Sequence, residues 1–208
     1  MRTSFGAFFF ATLFLIPTLG KAQITDKLVP HTGFMYEIVT LEDPRNLGGQ
    51  TFNFAYYTFS LGTYYELAHK NDVVSVGVDG SINFGINFPL TGQGTVVTVT
   101  AQTPVFAMAR LGALSTKYNQ QPIGLGLGVG GVYTFFNDVI DFNSGNKIRA
   151  GYVVPAAVAE VTLRTRGNTV TVRGHYQLAR TNAVLRGDNR PDLDYNMGNW
   201  GIGLIYSL

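Results

Sequence analysis

Between Val73 and Phe88 the chain alternates with scarcely a fault. Val74, Val76, Val78, Ile82, Phe84, Ile86 and Phe88 take the even positions, broken by Gly80, and Ser75, Gly77, Asp79, Ser81, Asn83, Gly85 and Asn87 take the odd ones. A period of two marks a strand with one apolar face and one polar or small face. Trp200 to Leu208 repeats the pattern: Trp200, Ile202, Leu204, Tyr206 and Leu208 form a large apolar face, and Gly201, Gly203, Ile205 and Ser207 a mostly small one.

The same alternation divides the rest of the chain into six further strands. The first sets Phe34, Tyr36 and Ile38 against Met35, Glu37 and Val39. The second lies within 51–67, where Phe52, Phe54 and Tyr56 compete with Tyr57, Phe59 and Leu61 for one face; a bulge would reconcile them. Residues 89–103 read as a connection with some strand character at 96–100. Pro104 opens the fourth strand, in which Arg110 turns Phe106 and Met108 inward and Val105, Ala107, Ala109 and Leu111 outward. A fifth strand begins at Ile123. The sixth places Glu160, Thr162 and Arg164 opposite Val153, Ala157, Ala159, Val161 and Leu163. After a tight turn at 166–168 the seventh alternates Val170, Val172, Tyr176 and Leu178 with Thr171, Arg173, His175 and Gln177. Residues 181–198 read as the longest loop. No segment sustains a helical period.

Only 13% of residues are charged, about half the share of an ordinary soluble domain. Residues 1–22, with Arg2, an apolar run from Phe5 to Leu19 and the small-x-small Gly20-Lys21-Ala22, read as a cleavable signal peptide. Its removal leaves 13 basic residues against 13 acidic ones, which gives no footprint for nucleic acid. There is no cysteine, hence no disulfide scaffold or thiolate metal site. Strands with apolar outer faces and eight-fold repetition are what a closed barrel needs to cross a bilayer. In such a barrel a one-residue slip of 73–88 would drive Asp79 into hydrocarbon, so its register is determined.

The expected fold is therefore all-β: an eight-stranded antiparallel up-and-down transmembrane barrel over 32–208, after a short periplasmic segment at 23–31. Short turns alternating with longer loops put both termini in the periplasm. With its signal peptide, its strand-and-loop alternation and its terminal W-G-I-G-L-I-Y-S-L, the chain resembles the small OmpX-like outer-membrane barrels of Gram-negative bacteria. That resemblance implies residence in the cell outer membrane, contact with its lipid, and an insertion signal in the last strand (Trp200, Ile202, Leu204, Tyr206, Leu208) read by the barrel-assembly machinery. That class seldom comes with an assigned activity, so the resemblance says more about fold than about task.

By alternation the inward charges are Glu37, Asp79, Arg110, Glu160, Arg164 and Arg173, with His175 beside the last. Three acids and three bases suggest paired charges closing the lumen, where a selective pore would show one sign in excess. His175 is the natural general base of a lipid-modifying enzyme, but Gln177 two residues on gives no His-x-Ser pair and G-x-S-x-G is absent. Gly126-Leu127-Gly128-Val129-Gly130-Gly131 satisfies G-x-G-x-x-G, yet a strand follows where a dinucleotide site needs a helix; an inward glycine column is the simpler reading. Arg186-Gly187-Asp188 and the carboxylates Asp188, Asp192 and Asp194 read as an ordinary solvated loop. No cofactor, metal or catalytic residue is expected. The expected role is structural or interactive, through external loops or barrel wall, in a monomeric barrel that could meet a larger membrane protein. The rivals are a narrow channel or lipophile conduit, a lipid-modifying enzyme, and a soluble lipocalin-type barrel, which would need the polarity of the strands reversed.

Overall fold

The structure, a computed structural model, describes residues 26–42, 51–88, 96–141, 148–165, 168–187 and 190–207. The signal peptide expected at 1–22 lies outside the described residues. So does Asp188, and the Asp192 and Asp194 side chains are likewise not described.

The strands are β1 (Leu28–Glu42), β2 (Thr51–Lys70), β3 (Val74–Phe88), β4 (Val96–Gly112), β5 (Ile123–Asp141), β6 (Ile148–Thr165), β7 (Asn168–Gln177), β8 (Thr181–Gly187) and β9 (Arg190–Ser207). Neighbours pair antiparallel, and β1 pairs with β9 to close the sheet. β7 and β8 are two halves of one stave, since both pair with β6 on one side and β9 on the other. The result is the expected eight-stranded antiparallel barrel.

Following paired residues around the wall from Leu28 leads through Tyr65, Val78, Ala107, Val129, Ala157, Tyr176 and Trp200 to Ile38, ten residues along β1 from the start. With ordinary strand rise and spacing, that stagger sets a tilt of about 40° and a radius of about 8 Å. Such a lumen has room for side chains and little else. Both ends of the described chain lie at the end of the barrel that carries the tight turns. There Asn71 and Asp72 both adopt positive φ (52° and 55°) and Val73 N–H donates to the Lys70 carbonyl at 3.1 Å, which is a type I′ hairpin.

The outward face is apolar throughout the spanning region: Phe34, Val76, Phe84, Leu127, Val129, Val153, Val161, Ile202 and Leu204 are all exposed. The opposing parity is buried and mainly polar. Tyr36 packs against Tyr57 and Phe34 against Phe59, with centroids 5.2 and 5.3 Å apart. With Tyr133, Tyr176 and Trp200 they form an aromatic band toward the end remote from the termini, where an interfacial girdle belongs.

Four expectations are corrected. The first strand starts at Leu28, so Pro30 and His31 are part of the wall and the entry segment ends before 28. β2 turns Tyr56, Thr58, Ser60 and Tyr64 inward and Tyr57, Phe59 and Leu61 outward; its bulge falls at Leu67, between Glu66↔Gly77 and Ala68↔Val76, and does not settle the phase. Pro104 stands inside β4. Its missing N–H coincides with a lapse in the β3–β4 ladder between Gly80↔Val105 and Asn83↔Gln102, which is how a proline is accommodated there. Finally, the loop expected at 181–198 is paired strand over most of its length, from Thr181↔Met197 to Gly187↔Arg190. Beyond the membrane both faces of a hairpin meet water, so the alternation that reveals a spanning strand is not required there.

Candidate functional site: the lumenal polar network

Two polar centres fill the middle of the barrel. The first is a compact ion cluster. Asp79 on β3 accepts both terminal nitrogens of Arg173 on β7, Nη1 to Oδ1 and Nη2 to Oδ2, each at 2.9 Å. Arg110 Nη2 on β4 donates to the same Oδ2 at 3.1 Å, and His31 Nε2 on β1 lies 3.2 Å from it. Glu160 on β6 takes Arg173 Nε at 2.6 Å and Arg110 Nε at 3.1 Å. The third and seventh staves of an eight-stave barrel face each other, so the Asp79–Arg173 pair crosses the lumen from wall to wall. Fork-to-carboxylate geometry fixes both planes as well as both charges. Arg110 also lies over the ring of Tyr64, Cζ 4.0 Å from its centroid, while the Tyr64 hydroxyl meets Ser75 Oγ at 2.9 Å.

The second centre surrounds Glu37 of β1, which is completely buried. Its carboxylate accepts from Thr58 Oγ1 at 3.1 Å, Gln102 Nε2 at 2.6 Å and Asn199 Nδ2 at 3.3 Å. His175 Nε2 stands 4.0 Å away and has no hydrogen-bond partner. A buried carboxylate is tolerable when several donors converge on it, and three do. Toward the remote end the filling turns apolar, with Val39, Val132, Val154 and Met197 all buried, while Phe106 packs beside Asp79 at the level of the ion cluster.

Of the expected lumenal set, Asp79, Arg110, Glu160 and Arg173 meet in one cluster, and Glu37 and His175 share the other. Arg164 does not join either. It is half-buried at the barrel's rim, where Nη1 donates to the Asn119 carbonyl of the β4–β5 connection. The balance of three acids to three bases therefore does not hold inside: two arginines and two histidines face Glu37, Asp79 and Glu160, and a fourth acid, Glu66, is buried at the end that carries the termini. His31, expected ahead of the first strand, is buried in the lumen, where its parity with Met35 and Glu37 sets it. Gln102 and Asn199, neutral and strand-borne, gave no signal.

The glycines of β5 make the room these side chains use. A Cβ on Gly126 would lie 2.9 Å from Glu160 Oε2, and one on Gly128 would lie 2.3 Å from Met108 Sδ. Outward-facing Gly80 has nothing within 4 Å of that position. Gly126→Val should therefore cost about 1–3 kcal/mol by pushing Glu160 off Arg110, and Gly80→Ala well under that. Urea unfolding midpoints of the two variants in lipid vesicles check the contrast. No group of three or more metal-ligating residues occurs among the described residues.

A closed sheet of eight antiparallel staves with an apolar outer wall and an ion-paired interior is the fold of the small outer-membrane barrels. Among solved structures, the outer membrane protein AlkL, determined by solid-state NMR in DMPC bilayers, is similar with a TM-score of 0.52 at 14% identity, covering 88% of this chain and 91% of that one. Neisserial surface protein A (9% identity, 86% of this chain and 97% of that one) and Ail of Yersinia pestis (13%, 88% and 99%) are similar with TM-scores of 0.46. No family model matches the sequence, and no curated protein matches it. At such identities the likeness is one of fold.

Proposed function

We propose that the protein is a non-enzymatic integral barrel of the outer membrane, with a filled lumen, that acts structurally or as an interaction or accessory protein through its wall or its extension beyond the membrane. The observation that supports this most is the Asp79–Arg173 pair: it spans the lumen, both groups are about nine-tenths or more buried, and Arg110 and Glu160 fill the space on either side. A permeation path would need these four charges to part, and each would then stand unpaired in a narrow, poorly solvated tube. Catalysis at His175 finds little support, because its ring nitrogen points to Glu37 from inside the wall, shut off from acyl chains outside. On this reading lipid surrounds the wall, the barrel is monomeric, the barrel-assembly machinery inserts it by its terminal strand, and a larger membrane protein is a candidate partner.

Planar-bilayer recording tests the proposal. The expected result is no ohmic conductance from the folded barrel, and no swelling of liposomes by small sugars. Steady unitary conductance would replace this reading with the channel. Mass spectrometry of outer-membrane lipid with the wild type and with His175→Ala should give the same profile; a product lost only in the variant would make the barrel an enzyme.

A further inference from the structure

The connection from β4 to β5, residues 113–122, lies at the end of the barrel that carries the termini. A turn standing free in water would be exposed along its length. Here Ala113, Leu114, Ser115, Thr116 and Asn119 are buried, and the rest is exposed. Leu114 belongs to the apolar cluster of Val29, Tyr64 and Met108 inside the lumen. Inward residues at the very ends of their staves, Val29, Ser75 and Thr169, are buried too, so the mouth is covered. The fold of the connection is exacting. Gly112 and Leu114 both take positive φ (76° and 60°), a region leucine seldom adopts. A Cβ on Gly112 would stand 2.3 Å from the Ile123 carbonyl oxygen. On either side of Leu114, Ala113 N–H donates to that carbonyl and Ser115 N–H to the Gly112 carbonyl, each at 2.9 Å.

The buried part hangs from one atom of the β2–β3 hairpin. The Asp72 carbonyl accepts Ser115 Oγ at 2.7 Å and also Asn119 Nδ2. Asp72 is held in turn by His69, whose Nδ1 meets the buried Glu66 carboxylate while Nε2 lies 3.5 Å from Asp72 Oδ1. A neutral imidazole has one N–H and can donate to one carboxylate; only the imidazolium donates to both. We infer that residues 113–119 cap the terminus-bearing mouth of the lumen, and that the charge on His69 latches this cap by holding the hairpin from which it hangs.

The hydrogen bond with Glu66 raises the His69 pKa, with the charges of Glu66 and Asp72 adding to it and Lys27 opposing it. Ser75, opposite His69 in the ladder, does not titrate. A proton bound more tightly in the folded barrel makes the latch complete below the ordinary imidazole value of about 6.5 and loses it as pH rises through the raised value. In mild acid the cap seals the ion cluster from the compartment that holds the termini, and in base it admits water.

The chain has no cysteine, so single introduced thiols report the cap. Thr116→Cys replaces a buried hydroxyl that has no hydrogen-bond partner, Ala113→Cys gives a second buried thiol, and Tyr118→Cys an exposed one on the same connection. Each reacts with a charged methanethiosulfonate in detergent micelles, where both ends of the barrel meet the reagent. Dividing by the Tyr118→Cys rate at the same pH removes the thiol's own ionisation. At about pH 5.5 the buried thiols should react far more slowly than the reference, and their relative rate should rise several-fold by about pH 8.5. Adding His69→Gln to Thr116→Cys should leave that rate high and level across the range. A relative rate near unity at every pH overturns the cap. A low rate indifferent to pH, or one that climbs as steeply with His69→Gln, overturns the latch. Heat-dependent gel migration shows which variants fold, and either buried thiol carries the test alone. Should neither fold, hydrogen exchange of the Ser115 amide relative to that of Tyr118 in the unaltered barrel reads the same profile.

Discussion

Asp79→Ala is expected to lower the unfolding free energy of the barrel by about 3–5 kcal/mol, the range for removing one partner of a buried ion pair. Asp79 is the one acid shared by Arg173, Arg110 and His31. Without it both guanidiniums depend on Glu160, and His31 loses its one acidic partner among the described residues. The lumen at this level has little space for water to replace the carboxylate, so the cost is that of leaving charge uncompensated and exceeds the modest net value of the pair itself. Urea unfolding in lipid vesicles, followed by Trp200 emission, measures it. The double variant Asp79→Ala/Arg173→Met should be less destabilised than the two single losses added together, because the second change removes a charge that the first had orphaned. A single-variant loss under about 1 kcal/mol, or strict additivity, would show that the cluster is solvated and the lumen open.

That Asp79, Arg110, Glu160 and Arg173 face the lumen was readable from parity alone; that these four meet one another, and that His31 joins them, was not. Asp79, Arg110, Glu160 and Arg173 each sit at the inward phase of a strand whose other face is apolar, and burying a charge in acyl chains is costly enough to fix that phase. Pairing across the lumen depends on stagger: Asp79 meets a residue 94 positions away because the sheet closes with the third and seventh staves opposed. No local spacing encodes that. Arg164 shows where parity stops being sufficient, since at the last turn of a stave an inward side chain can reach past the rim and take a loop carbonyl instead. The phase of β2 was ambiguous for a related reason. Tyrosine serves either face, and here Tyr56 and Tyr64 fill the lumen while Tyr57 joins the outer aromatic band. Likewise Val39, Val132 and Val154 lie inside, because a lumen packed like a protein core accepts apolar side chains as readily as polar ones. The break at 178–180 had no sequence signal at all.

Val129→Arg should cost about 2–4 kcal/mol, whereas Ile123→Arg on the same strand should cost no more than about 1 kcal/mol. Both side chains are exposed and point outward from β5. They differ in depth. Ile123 begins the strand at the end that carries the termini, where an arginine reaches the headgroups directly. Val129 lies near the middle of the outward apolar run from Ile123 to Phe135, flanked by Ala107 and Ala157 on the adjoining staves. A guanidinium there must bend past Leu127 and Leu125 to reach the level of Ile123, or draw water and headgroups toward it, and either route is costly. Unfolding midpoints in vesicles give the two values. In a soluble barrel both substitutions would be close to neutral, since a surface arginine in water is harmless at any height. The depth dependence is thus a direct reading of the solvent around the wall, and equal small effects at 123 and 129 would mean that water, not lipid, surrounds it.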